Sequence, residues 1–157
     1  MLDALKLLVC VGGCQLAGAV AGWLTDLGRT DWYAGLDKPP LTPPGEVFGI
    51  VWPVLYLLMG VAAWVIWRRG LDAPGVRVAL GLFVAQLAVN VAWSGAFFAL
   101  QSPPAGLVVI VALWALIALT TVRFWNLSAW AGALMAPYLL WVTFAVYLNA
   151  GILALNA

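Results

Sequence analysis

The sequence predicts an all-α integral membrane protein, a bundle of five transmembrane helices. Of the 157 residues, 66% are hydrophobic and 8% are charged, whereas soluble domains are roughly 45–50% apolar and about 25% charged. The apolar residues also fall into five long runs, and each run is long enough for the roughly 20 residues that cross a hydrocarbon core. We therefore treat residues 1–157 as a single transmembrane domain.

The first predicted span covers residues 5–24. Gly18 and Gly22 form a GxxxG pair within it, which permits a neighbouring helix to approach closely. A secretory signal peptide is the alternative interpretation, because a lysine, an apolar run and small residues follow one another here. The apolar run continues past those small residues, so we expect a membrane helix.

The longest polar segment, residues 25–46, joins the first two spans and is called the lid. Pro39, Pro40, Pro43 and Pro44 fix φ and remove backbone donors, which disfavours both a helix and a central strand. Glu46 lies at the predicted start of the second span, where a helix favours an acidic residue. We predict a rigid, extended loop that covers the mouth of a ligand pocket.

Short connections separate the remaining four spans. These spans cover residues 47–67, 76–100, 105–125 and 129–155. Ser128 precedes the last of them and is a predicted N-cap. Short connections between long apolar helices predict antiparallel neighbours in one bundle.

Basic residues are distributed unevenly between the two ends of the predicted bundle. Five spans place the termini on opposite sides of the membrane. One side carries Lys6, Arg68, Arg69, Arg77 and Arg123, and the other carries Arg29 and Lys38. Because basic residues concentrate on the cytoplasmic side, we predict a cytoplasmic N-terminus, with the lid and the C-terminus on the opposite side.

The third span carries one polar and aromatic stripe. Gln86, Asn90, Trp93 and Phe97 fall within about 60° of one another on a helix. Because an amide that faces lipid is costly, we predict that this stripe lines an interior cavity. Hydrogen bonding between helices without any ligand is the alternative for the two amides.

Small residues form a different face of the third span. They are Ala85, Ala88, Ala92, Ala96 and Ala99. A face of small side chains lets another helix approach closely. We predict a homodimer in which this face contacts a second copy of the chain.

The second and fifth spans carry faces that match the stripe. The residues are Phe48, Trp52 and Tyr56 in the second span, and Tyr138, Trp141, Ala145 and Asn149 in the fifth. Aromatic rings that converge with a few amides predict a site for a large, flat and mostly apolar molecule. A belt of tryptophans at the membrane interface is the alternative explanation for many of the ten tryptophans.

Composition excludes several other functions. The net charge is +1, so the sequence predicts no nucleic-acid partner. The chain has no histidine, the most common metal ligand and general base, and it shows no nucleophile–base pair or phosphate-binding loop. Cys10 and Cys14 are interpreted as small packing residues. We predict no metal site and no required cofactor.

Three motifs resemble those of the TspO/MBR family, the tryptophan-rich sensory proteins related to the mitochondrial translocator protein. The first motif is Trp32-Tyr33-x-x-Leu36-x-Lys38-Pro39 followed by Pro43-Pro44 and Trp52. The second is Gln86-Leu87-x-x-Asn90 with Trp93, and the third is Trp130-Ala131-x-x-Leu134-x-x-Pro137-Tyr138-x-x-Trp141. Together they are specific, and the likeness covers nearly the whole chain.

The resemblance implies a five-helix protein, often homodimeric, that binds porphyrins such as protoporphyrin IX beneath the lid. By position it implies Tyr33, Pro43, Trp52, Asn90, Trp93, Trp141 and Ala145 as cavity residues. Among them, Trp52 and Asn90 match the polar anchors for ligand carbonyl groups. We add Tyr56, Gln86, Phe97 and Tyr138 as predicted ligand-binding residues, because they share the faces described above.

The leading hypothesis is a porphyrin-binding membrane protein that senses, regulates or disposes of tetrapyrroles. One alternative is an enzyme that oxidises porphyrin in light, for which Trp52 and Trp141 match the tryptophans implicated in the family. Another is a transporter of tetrapyrroles or other lipophilic molecules. The chain departs from the family at Leu41, where many bacterial relatives have tryptophan. No basic residue follows Tyr147, so sterol transport is not expected.

Overall fold

The computed structural model describes residues 2–29 and 31–157. Met1 and Thr30, which fall inside the predicted domain and the predicted lid, lie outside the described residues. Within the described part of the chain, five helices are long and apolar enough to cross a membrane. The predicted all-α fold with five membrane-spanning helices is confirmed.

The five long helices have the following bounds. They are α1 (Leu2–Arg29), α3 (Gly45–Trp67), α4 (Val76–Ser94), α5 (Pro103–Leu127) and α6 (Ala129–Leu155). A short helix, α2 (Trp32–Gly35), lies in the lid, and a π-helical turn (Gly95–Ala99) extends α4. The end of the bundle at which the lid joins α1 to α3 is called the lid end.

The lid is less extended than we predicted. Helix α1 continues to Arg29, five residues past the predicted end of the first span, and α2 adds one further helical turn. The reason is that the proline restriction begins only at Pro39. The residues before that position carry no proline, so helical backbone is available to them.

Serine residues cap two of the spanning helices. The Ser128 side chain accepts a hydrogen bond from the Ala131 backbone N–H (3.5 Å), which confirms the predicted N-cap of α6. Ser102 caps α5 in the same way through the Ala105 N–H (3.3 Å). Each serine satisfies one of the backbone donors that have no partner at the start of a helix.

The π-helical turn changes which side chains α4 presents at the lid end. The Leu100 N–H donates to the Gly95 carbonyl at 2.8 Å, a hydrogen bond across five residues. A turn with this spacing is wider than an α-helical turn. Side chains beyond Ser94 therefore depart from the 100° spacing that placed Phe97 on the stripe.

Helix α1 packs tightly on α3 from the middle of the bundle toward the end away from the lid. A Cβ added at Gly60 would lie 2.7 Å from the Val11 Cα, and one added at Gly18 would meet the Tyr56 ring. Gln15 Nε2 also donates to the Pro53 carbonyl at 3.0 Å. At Gly60 the contact needs glycine, because a larger residue would separate the two backbones, whereas at Gly18 a larger residue would have to displace the Tyr56 ring.

Replacing Gly60 by alanine will destabilise the protein by about 1–3 kcal/mol, because the added methyl group overpacks a backbone contact. Gly13→Ala is the matched control, since a Cβ at Gly13 meets no atom within 4 Å. The control will be neutral or stabilising by up to about 1 kcal/mol. Thermal unfolding in detergent measures both variants, and equal midpoints would contradict the prediction.

The lid is fastened to the end of α6. The Asn156 side chain accepts from the Asp37 N–H (3.0 Å) and donates to the Asp37 carbonyl (2.8 Å). Tyr147 donates its hydroxyl to the Pro40 carbonyl at 3.0 Å. Pro39 is buried, and it is the nearest contact of a Cβ built at Gly151. Tyr147 and Gly151 of α6, together with the C-cap residue Asn156, thus hold the centre of the lid.

Candidate functional site

A cavity of about 620 Å³ lies at the lid end, between α1, the lid, α3 and the last turns of α4. Ligand sites in proteins commonly have volumes of about 300–1,000 Å³. The lining residues from α3 include Phe48, Trp52 and Tyr56, which form one aromatic ridge as their spacing of four predicts. The cavity thus has the size and apolar wall of a small-molecule site.

Trp52 is the centre of the aromatic wall. Its ring centroid lies 5.7 Å from Tyr56, 6.3 Å from Trp93 and 6.3 Å from Tyr138. Its indole N–H makes no hydrogen bond to any residue that the structure describes, and it is not enclosed by protein atoms. The Trp52 N–H is therefore a free donor at the cavity wall.

A chain of hydrogen bonds lies beneath this wall. The Tyr56 hydroxyl donates to Asn90 Oδ1 (2.5 Å), Asn90 Nδ2 donates to the Tyr138 hydroxyl (2.8 Å), and that hydroxyl donates to Gln86 Oε1 (3.0 Å). All four residues are buried. The chain joins α3, α4 and α6, and each buried polar group in it gains a partner that lipid would not supply.

Charged groups surround the lid side of the cavity. Arg29 pairs with Asp26 at 3.2 Å, and both residues line the cavity. Lys38 Nζ donates to the Leu36 carbonyl at 3.0 Å and lies 4.8 Å from the centroid of the Tyr33 ring. Burial raises the pKa of the Tyr33 phenol, so this hydroxyl stays protonated at physiological pH. The rim therefore carries two cations, one of which is paired with the Asp26 carboxylate, and a neutral phenol.

The profile of the TspO/MBR family matches residues 10–155. The chain belongs to the TspO/MBR family. It is 42% identical over 152 residues to the tryptophan-rich protein TspO of Chlorobaculum tepidum, a match that covers 97% of this chain and 96% of the relative.

Two other organisms supply further relatives of this TspO/MBR protein. The tryptophan-rich protein TspO of Archaeoglobus fulgidus is 39% identical, with 99% of this chain and 100% of the relative covered. The human translocator protein is 40% identical over 120 residues, with 75% of this chain and 70% of the relative covered. Together with the five spanning helices, the family makes this chain a multi-pass membrane protein.

Six of the predicted ligand-binding residues line the cavity of this TspO/MBR protein. They are Tyr33, Pro43, Trp52, Tyr56, Asn90 and Trp93. The other five predicted residues lie outside its wall. They are Gln86, Phe97, Tyr138, Trp141 and Ala145. The role of all eleven residues in binding stays a prediction.

The five residues outside the wall occupy distinct places. Gln86 and Tyr138 belong to the hydrogen-bonded chain, so for Gln86 the structure favours hydrogen bonding between helices. Phe97 packs edge-on against Trp32 (5.4 Å), because the π-helical turn leaves Phe98, and not Phe97, on the cavity wall. The remaining two, Trp141 and Ala145, are on α6, which contributes no lining residue.

Trp141 lies directly behind the cavity wall. Its ring makes an edge contact at 5.6 Å with Phe48, which does line the cavity. Its indole N–H is buried without a hydrogen-bond partner in the described part of the chain. Phe48 therefore lies between Trp141 and the cavity.

The first helix supplies residues that were not predicted to line the cavity. Gly18, Ala21, Gly22 and Thr25 all line the cavity from α1. Their spacing of three and four residues places them on one helix face. This run of small residues is the signal in the sequence, although the two glycines alone predict only a close contact between helices. The structure assigns that role to Gly18, while Gly22 faces open space.

The alanine face of α4 is open in the described chain. Ala85, Ala88 and Ala92 are exposed, and Ala96 and Ala99 are half-buried. A second copy of the TspO/MBR chain has access to this face. The homodimer stays a prediction, as does the orientation of the bundle in the membrane.

Proposed function

We propose that the protein binds a free porphyrin of the protoporphyrin IX class in the cavity beneath the lid. One observation carries this proposal: a cavity of about 620 Å³ has aromatic rings from the lid, α3 and α4 on its wall. Aromatic rings pack well against a flat π-system, and such packing adds to the gain from apolar burial. Membership of the TspO/MBR family supports the same conclusion.

The polar groups of the cavity suit a porphyrin that carries carboxylates on one edge. Trp52 offers its free N–H deep in the cavity, whereas Arg29 and Lys38 lie at the rim. The Lys38 ammonium has no carboxylate within 4 Å among residues 2–29 and 31–157. A porphyrin that packs its ring against Trp52 and places its carboxylates at the rim pairs its apolar part with the aromatic wall and its charges with Arg29 and Lys38. Since the chain has no histidine, we propose the free porphyrin and not haem.

A titration with protoporphyrin IX, followed by quenching of tryptophan fluorescence, tests the proposed function. We expect saturable quenching, and its absence would overturn the proposal. The dimethyl ester of the same porphyrin tests the orientation, because it lacks both carboxylates. We expect the ester to bind about 3–30-fold more weakly, which corresponds to roughly 0.7–2 kcal/mol, because each of the two charge-assisted contacts is worth up to about 1 kcal/mol at a partly exposed position.

Lys38→Met will remove most of the difference between the acid and its ester. Arg77→Met is the matched control, because Arg77 lies at the opposite end of the bundle and pairs with Asp72. An ester that binds as tightly as the acid would show that the rim does not recognise carboxylates. The burial of the ring would then be the whole basis of binding.

A second activity, oxidation of the bound porphyrin by dioxygen in light, is favoured by the position of Trp52. An indole at the wall is in direct reach of an excited guest, and Tyr56 and Trp93 lie within 6.3 Å of its ring. Trp141 is separated from the cavity by Phe48. The structure therefore favours Trp52 over Trp141 as the residue that reacts first.

We also propose the arrangement of the protein in its membrane. The five-to-two bias of basic residues between the two ends favours a cytoplasmic N-terminus and a lid on the opposite side. The exposed small residues of α4 favour a homodimer through this helix. Lipid covers the remaining apolar surface.

A further inference from the structure

The packing of α1 against α3 changes along the length of the two helices. Val11 faces Gly60 and Gly18 faces Tyr56, both in tight contact. This antiparallel register places Gly22 opposite Gly49 at the next level toward the lid. Two facing glycines permit the closest approach of two helices. A Cβ added at either of them nevertheless meets no atom within 4 Å, so the helices are apart at this level.

The gap between the two helices opens the cavity to the side of the bundle. Gly22, Gly49 and Pro53 all line the cavity, and each of them is exposed. The exposed lining of α3 runs from Gly45 to Pro53, which corresponds to about 12 Å along the helix axis. The hydrogen bond from Gln15 to the Pro53 carbonyl closes the gap at its lower end. The opening is therefore bounded, and it reaches well below the lid.

The surface beside the opening is apolar. Exposed hydrophobic side chains neighbour the three residues of the gap in sequence on both helices, namely Trp23 on α1 and Ile50 and Val54 on α3. In a five-helix membrane protein, such a surface faces lipid. The side opening thus connects the cavity with the hydrocarbon region. Asp26 and Arg29 line the cavity nearer to the lid.

One backbone group in the opening lacks its usual partner. Pro53 has no N–H, so the Gly49 carbonyl loses the donor that would complete the α-helical hydrogen bond. An unpaired carbonyl at the edge of hydrocarbon is costly. A guest that carries an N–H or O–H group is able to pair with this carbonyl as it passes.

We infer that the guest enters and leaves the cavity sideways from the lipid, through the opening between α1 and α3. This inference rests on the proposed function, since it requires that the cavity holds a lipophilic guest. The rim of the opening consists of Gly22, Gly49 and Pro53. A flat apolar molecule dissolved in the bilayer reaches the aromatic wall by this route without crossing the lid.

Gly22→Leu tests the inference because a leucine at this level obstructs the gap and is well accepted within a helix. The protein is placed in lipid nanodiscs, and binding of protoporphyrin IX is followed by stopped-flow quenching of tryptophan fluorescence. We expect the association rate to fall tenfold or more. The dissociation rate should fall with it, since both directions use one passage. Gly13→Leu is the matched control, because Gly13 lies outside the cavity with open space at its Cβ.

The outcomes separate the inference from the proposed function. No saturable quenching with the unchanged protein would overturn both. Normal binding by the unchanged protein, together with an association rate that Gly22→Leu leaves intact, would overturn the side passage alone. A second measurement varies the amount of lipid at fixed total porphyrin. A rate that follows the porphyrin-to-lipid ratio supports the passage, whereas one that follows only the aqueous concentration contradicts it.

Discussion

Replacing Trp52 by alanine will lower the affinity for protoporphyrin IX by about tenfold to a hundredfold. The indole is the centre of the aromatic wall, and its loss removes roughly 1.4–2.8 kcal/mol of ring contact and apolar burial. Trp52→Phe keeps a ring but removes the free N–H, so we expect a smaller loss, of about three- to tenfold. Equilibrium titration in detergent or nanodiscs measures both variants.

Trp114→Phe is the matched control for the Trp52 variants. Trp114 donates its indole N–H to Thr143 at 2.8 Å, between α5 and α6, and it lines no part of the cavity. Its replacement will leave the affinity for the porphyrin unchanged. If Trp52→Ala binds as tightly as the unchanged protein, the aromatic wall is not the binding surface.

The Trp52→Phe variant also separates binding from light-dependent oxidation. Illumination of the porphyrin complex in the presence of dioxygen is followed by the loss of the porphyrin absorbance. If the protein is an enzyme, this loss will slow in Trp52→Phe more than in Trp141→Phe, at concentrations that saturate both variants. If the porphyrin absorbance is lost at the same rate in both variants and in free porphyrin, the protein binds the porphyrin without catalysing its oxidation.

Asn90→Leu will destabilise the protein by about 1–3 kcal/mol. The substitution removes the acceptor of Tyr56 and the donor to Tyr138, and it leaves the Tyr56 hydroxyl buried without a partner. Thermal or denaturant unfolding in detergent measures the effect. Asn126→Leu is the control, since Asn126 is exposed at the end of α5.

A double variant tests the cause of this loss. Tyr56→Phe removes the hydroxyl that Asn90→Leu leaves unpaired, so the two substitutions together will cost less than the sum of the single ones. If the two losses of unfolding free energy are additive, the hydrogen bond between Tyr56 and Asn90 contributes no coupling energy between these residues. A loss below about 0.5 kcal/mol for Asn90→Leu alone would contradict the importance of the chain.

The fold was predictable from the sequence because membrane spans depend on length and composition, which are local properties. The ends of the helices were harder to place. Arg29 remains helical although it lies in the predicted lid, because α1 continues beyond the apolar residues that reveal a span. The π-helical turn after Ser94 was not predictable by a fixed angle per residue, and it leaves Phe98, and not Phe97, on the cavity wall.

The site was predictable where one helix alone decides the direction of a side chain. Phe48, Trp52 and Tyr56 follow a single spacing, and all three line the cavity. The pairing of helices was not predictable in the same way. The aromatic face of α6 predicted that residues such as Trp141 complete the cavity, whereas α1 completes it with small residues. Glycine and alanine carry no chemical signal of a site, because what they contribute is empty space.

The uneven packing of α1 on α3 gives the molecule one stiff half and one adaptable half. Away from the lid, backbone touches backbone at Gly60, and few substitutions are tolerated there. Near the lid, the same two helices touch little, so changes at Gly22 or Gly49 alter the outline of the cavity without disturbing the fold. Natural selection, or a protein engineer, is therefore able to retune the chemical preference of this protein while its architecture stays constant.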